Sequence, residues 1–135
     1  MQDFRRLVVW QKAQQLTANV HRATEHVSNT RSPGLRSQLR RAASSIAANI
    51  AEGASYDGPT QFARYLQMAI GSASEVESHL DLASRRDSLP QEALAALASD
   101  TQSVRRMLIV LRRRVLLSPH PAPTPTQLKA QNPNP

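Results

Sequence analysis

Few side chains in this sequence stand at spacings that could do chemistry. Glu75 and His79 sit one helical turn apart, a pairing related to the Glu-x-x-His motif of di-iron bundles. That chemistry needs a second such pair, and the sequence has none. His21, His26 and His120 show no H-x-x-x-H spacing, and His21 and His26 fall on different faces of a helix. Glu75, Glu77 and Asp81 could supply acid–base catalysis if they converged, but Glu75 and Glu77 diverge and Glu77–Asp81 reads as a one-turn surface pair. Ser44 and Ser45 have no base near them in sequence. No cysteine offers a thiolate, and the four glycines, at 34, 53, 58 and 71, are too scattered to cradle a phosphate. The reading is of a protein that is no enzyme and carries no metal or cofactor.

What the chain has in excess is arginine. Seventeen Lys and Arg against ten Asp and Glu leave a formal charge of +7, and fifteen of those cations are Arg. The guanidinium fork matches phosphate and carboxylate in a bidentate way that an ammonium does not, so RNA or DNA is the leading partner class. Trp10, Tyr56 and Tyr65 are the few rings on which a base could stack, which favours backbone recognition over sequence readout. "MQDFRRLVVW" is not a signal peptide, and no apolar run approaches the length of a membrane span, so the expected location is cytoplasmic with no membrane partner.

The elements that must position these arginines are helices. Pro33, Pro59 and Pro90 each precede a stretch of three- and four-residue apolar spacing, and the spacing predicts helices over about 4–28, 33–53, 59–86 and 90–117. Ser32 is the expected N-cap of the second helix, and Ser88 with Gln91 the capping box of the fourth. Gly53 and Gly58 bracket the loop after the second helix. Short links between similar helices predict an all-α, up-down-up-down four-helix bundle over 1–117. Six of the nine prolines lie at Pro119 or beyond, so 118–135 reads as a disordered Pro-rich tail.

The second helix is the least generic. Its apolar arc (Leu35, Leu39, Ala42, Ile46, Ile50) has Asn49 at its edge. Arg41, Ser45, Ala48 and Glu52 lie on the far side. Half of that line is small, as if another surface came close, and Gly71 would let a helix backbone approach in the same way. Glu52 at a helix C-terminus opposes the dipole and predicts a cationic partner, for which Lys12, at the start of the first helix, is the candidate. Lys12, Asn49 and Glu52 thus read as a structural polar motif.

The topology sorts the cations to two poles. One gathers Arg112, Arg113 and Arg114 with Arg5, Arg6, Lys12 and Arg64; the other gathers Arg36, Arg40, Arg41, Arg85 and Arg86 with Arg22 and Arg31. Arg36 and Arg40 are expected on one exposed stripe. These two clusters are the candidate nucleic-acid-binding residues.

The segments "LVVWQKAQQL" (7–16), "LRSQLRRAASSIAANIAEG" (35–53) and "FARYLQMAIGSASEVE" (62–77) resemble, in order and spacing, a bacterial four-helix bundle family. It includes proteins encoded by intervening sequences in large-subunit ribosomal RNA genes and Avd, the accessory variability determinant of diversity-generating retroelements. The resemblance covers about residues 3–116, with "SIAANIAEG" its most specific part. His21 stands where an aromatic is usual, and the tail is extra. The resemblance implies a homopentamer that binds nucleic acid, or a reverse transcriptase, without chemistry of its own. The alternative is a scaffold that docks an acidic or reverse-transcriptase-like protein and does not touch nucleic acid.

Overall fold

Helices form where apolar side chains recur every three or four residues. In the computed structural model, which describes residues 2–118, they are α1 (Val8–Ala23), α2 (Leu35–Ala54), α3 (Pro59–Arg85) and α4 (Gln91–Leu117), preceded by a 3-10 turn at Phe4–Arg6. There is no strand among the described residues. Each helix packs on the next, α4 returns against α1, and the diagonal pairs make no close backbone approach. That is the square section of an up-down-up-down bundle. The tail expected from 118 lies, from residue 119 on, outside the described residues.

The expected apolar arcs meet in one core. Leu16, Val20, Leu39, Ile46, Ile50, Leu66, Val76, Val104 and Leu108 are all essentially inaccessible to water. Each such side chain contributes roughly 1.5–3 kcal/mol relative to an exposed one. Small groups are buried on both α2 and α3: Ala42, Ala43, Gly53 and Ala54 on one helix, Ala63, Ala69, Ser72 and Ala73 on the other. Small side chains bring the two backbones together, and these two helices share the most extensive interface in the fold. Ser45 donates to the Oγ of buried Ser72, which in turn donates to the Met68 carbonyl at 3.2 Å. Ser45, expected on the far side of α2, is therefore half-buried against α3 of the same chain, whereas Ala48 is exposed.

Two glycines exchange their expected roles. Gly53 does not end α2; it is buried in the helix, which runs on to Ala54 and is closed by Ser55, whose Oγ donates to the Glu52 carbonyl at 2.6 Å. A Cβ at position 53 would meet Tyr65 Cβ at 2.7 Å, Phe62 Cδ1 at 3.1 Å and the Phe62 carbonyl oxygen at 3.3 Å. Gly71 is exposed and a Cβ there would meet nothing within 4 Å, so no backbone approaches it among the described residues.

The expected caps also find other work. Neither α2, which follows Gly34 (φ 75°), nor α4, which follows Pro90, has a side-chain N-cap. Ser32 and Ser88 instead bond to each other, Oγ to Oγ at 2.6 Å, tying the α1–α2 connection to the α3–α4 connection. The α3 end is a Schellman motif built on Asp87 in the left-handed region (φ 51°). The Asp87 amide donates to the Ser84 carbonyl at 3.3 Å and the Ser88 amide to Ala83 at 3.0 Å.

Replacing Gly53 by Ala separates packing from propensity. Helix propensity alone favours Ala by about 1 kcal/mol, but two of the opposing atoms belong to the α3 backbone or its Cβ and move only with the helix. Gly53→Ala is expected to lower stability by about 1–2 kcal/mol in urea denaturation. An unchanged or raised midpoint would remove the close approach as the constraint between α2 and α3.

Candidate nucleic-acid interface

The first helix stops at Ala23, short of the expected 28, and the reason lies in two arginines of α2. A helix C-terminus leaves carbonyls without amide partners, and cations there also meet the negative end of the dipole. Arg40 fills both needs: its Nη2 donates to the His21 carbonyl at 3.1 Å and its Nε to Thr24 Oγ1 at 3.0 Å. Thr24 is fully buried and passes its own proton to the Val20 carbonyl at 2.7 Å. Arg36 Nη1 donates to the Glu25 carbonyl at 3.3 Å. Both arginines are half-buried, not on an exposed stripe. Arg41, the third expected cation of this pole, is paired with Glu75 of α3.

Arg85 and Arg86 stand differently. Both are exposed and their guanidinium groups have no hydrogen-bond or ion-pair partner among the described residues, and the same holds for Arg31 in the α1–α2 connection. At the opposite pole Arg113 and Arg114 are exposed and unpaired in the same sense. Arg112 is half-buried, with its Nε enclosed and without a partner among the described residues. Of the eight arginines singled out by sequence, the fold thus commits Arg36, Arg40 and Arg41 to structure and leaves Arg85, Arg86, Arg113 and Arg114 available.

The polar motif of α2 is assembled otherwise than expected. Asn49 Nδ2 donates to the Ser45 carbonyl of its own helix at 2.9 Å. Glu52 is exposed and forms no ion pair with Lys12, which points to solvent from α1. The chain start does lie beside the end of α2, where the Gln2 amide donates to the Ala54 carbonyl at 3.0 Å. Lys12, however, lies off the buried α1 face of Val9, Ala13 and Leu16. Glu52 is approached instead by the Tyr65 hydroxyl, 3.5 Å away, whose ring stacks on Tyr56 with centroids 5.4 Å apart. The hydrogen bond with the Tyr56 hydroxyl, helped by the Glu52 charge, raises the Tyr65 pKa and keeps its proton on.

No reactive constellation forms from the acidic residues. Glu75 lies between Arg41 and His79, whose Nε2 is 3.6 Å from it, and Glu77 accepts from Arg105 Nε at 2.9 Å. Among the described residues no three His, Cys, Asp or Glu side chains gather as metal ligands, and no helix is long and apolar enough to cross a membrane.

Sequence reasoning missed an apolar surface. Leu7, Val8, Met107, Val110 and Leu111 line a groove of about 420 Å³ between α1 and α4, with Arg106 and Arg114 also lining it. Val8 is 57 % exposed and Val110 47 %, and beyond the groove Leu116 and Leu117 are exposed at 50 % and 83 %. The signal was in the sequence: apolar residues of α4 span more of its circumference than one buried face needs.

These features define a basic, all-α four-helix bundle with open cations at its ends and one uncovered apolar seam. Residues 5–110 match the family of the 23S rRNA-intervening sequence protein, and the chain belongs to that family. Among solved structures it is similar to a protein of unknown function from the S23 ribosomal protein family of Bacteroides thetaiotaomicron VPI-5482. The two are 23% identical with a TM-score of 0.73 over 78% of this chain and 99% of the other. No curated protein matches it significantly.

The division of the arginines is testable by stability alone. Arg40→Met is expected to cost about 1–3 kcal/mol, since it strands the Thr24 hydroxyl and the α1 carbonyls. Arg85→Met is expected to change stability by no more than about 0.5 kcal/mol. Equal losses in chemical denaturation would contradict the assignment of Arg40 as the cap of α1.

Proposed function

We propose that this chain is a non-enzymatic, cytoplasmic accessory protein that self-assembles and binds nucleic acid through arginines at the ends of its bundle. One observation carries the reading. Arg41 is neutralised by Glu75 and Arg105 by Glu77, whereas Arg85, Arg86, Arg113 and Arg114, toward the helix ends, have no carboxylate partner among the described residues. The +7 excess is thereby concentrated where a polyanion can reach it. The family's name ties it to 23S rRNA, which makes RNA the first nucleic acid to test.

Self-assembly is supported by the α1–α4 groove and by Leu116 and Leu117, since a seam of exposed aliphatic side chains is relieved by covering it. The pentamer is the form that the resemblance implies. The same groove, with its arginines, favours the second reading, a scaffold that docks an acidic or reverse-transcriptase-like protein.

Salt separates the two readings. Fluorescence anisotropy with a labelled RNA is expected to show affinity falling linearly with salt on logarithmic axes, with a slope that flattens by roughly 0.7–0.9 for each phosphate contact removed. Arg113→Gln with Arg114→Gln, and separately Arg85→Gln with Arg86→Gln, are expected to flatten it. No binding at low salt leaves the scaffold reading. Light scattering at micromolar concentration is expected to give about five times the 14.9 kDa chain mass, and a monomer would remove the assembly.

A further inference from the structure

At the pole where α1 hands over to α2 and α3 to α4, the two connections enclose a polar cleft of about 500 Å³. His26, Ser28, Arg31, Arg86 and Ser88 line it together with Asp87, over the buried Ser32. We propose that this cleft takes the terminal phosphate of a nucleic-acid strand, clamped by Arg31 and Arg86. The proposal rests on the nucleic-acid reading above and names the part of the strand that this site recognises.

The donors come from two segments far apart in sequence, and they are uncommitted. Arg31 and Arg86 have no side-chain partner among the described residues, and neither has the exposed His26 imidazole. Ser28 Oγ accepts from the amides of Thr30 and Arg31, both at 3.2 Å, which leaves its own proton to give. Ser32, only 4 % exposed, and Ser88 share one hydrogen bond, so one of their two hydroxyl protons has no acceptor among the described residues. The Ser32–Ser88 bond also fixes the spacing of the two connections, and with it the placement of Arg31 relative to Arg86. The Schellman turn at Asp87 holds Arg86, Asp87 and Ser88 in the lining of the cleft.

The chemistry of the lining selects the ligand. A phosphate monoester near neutral pH carries about −1.5 to −2 charges and three strong acceptor oxygens. A diester within a strand carries one charge and offers two free oxygens. Two guanidinium forks, an imidazole and two spare hydroxyl protons match the monoester in both charge and donor number. Val27 is the one apolar side chain of the lining and no Phe, Tyr or Trp is among it, so His26 offers the base its only ring and the phosphate is the main group bound. Asp87 opposes the anion, and its carboxylate sets a measurable limit on affinity.

Three labelled RNAs of one sequence test this: one with a 5′-phosphate, one with a 3′-phosphate, one with hydroxyls at both ends. The expected result is that one of the phosphorylated strands binds about 5- to 10-fold more tightly than the hydroxyl-ended strand. Arg31→Gln and Arg86→Gln are each expected to bring that ratio to about one, with circular dichroism confirming the fold. Asp87→Asn, which suits the left-handed backbone, is expected to raise the ratio. Arg113→Gln is expected to weaken all three strands alike, leaving the ratio as it was. Equal binding of the three RNAs overturns the strand-end assignment and leaves the broader reading intact. No binding of any strand at low salt overturns both. Nuclear magnetic resonance with inorganic phosphate adds an arm: shifts at residues 28–32 and 86–88, without any strand-end preference, make free phosphate the ligand and also overturn the proposal.

Discussion

Where the last turn of α2 meets the first turns of α3, a hydrogen atom fits at position 53 and a methyl group does not: a Cβ, a ring carbon and a backbone oxygen of α3 lie within 3.3 Å of where it would stand. A hairpin closed that tightly brings small groups together, Gly53 against Phe62 and Tyr65 and Ser45 against Ser72, where dispersion between closely approaching surfaces contributes. The rest of the bundle is hung from this pair. Ser45 reaches Ser72, Arg41 reaches Glu75, and Tyr65 comes over Glu52, all because the two axes are close.

The opposite seam shows what happens without that constraint. Helices α1 and α4 share the thinnest of the four helix–helix interfaces, and along it large aliphatic side chains remain in contact with water. Tightness on one side of the square and openness on the other follow from side-chain size: alanine and glycine on α2 and α3, valine, leucine and methionine on α1 and α4. Those larger groups remain outside the core and form an exposed aliphatic surface, the feature on which the proposed self-assembly rests.

Arginine serves three purposes in this chain, and burial distinguishes them. Arg40 and Arg36 lie against orphan carbonyls at the end of α1 and are half-buried. Arg41 and Arg105 neutralise carboxylates on α3. Arg85, Arg86, Arg113 and Arg114 do neither. Net charge alone treats all of these as one field, whereas the last group, like Arg31, has no protein partner among the described residues to give up before meeting an anion.

Much of this was legible in the residues themselves. The apolar period and the three prolines ahead of helical stretches determine four helices in an up-down order, because a helix that buries one face leaves few other ways to fold a chain with such short links. The family and the basic excess were also visible. What only the tertiary structure decided is who meets whom. Ser32 and Ser88 read as two separate caps and became one bond across 56 positions; Gly53 read as a stop and became a contact; Arg36 and Arg40 read as a free stripe and became the cap of another helix. Periodicity records the face a residue occupies on its own helix. It carries no record of the axial offset between helices or of how closely they approach, and hydrogen bonds and close contacts are won or lost over an ångström of exactly those two quantities.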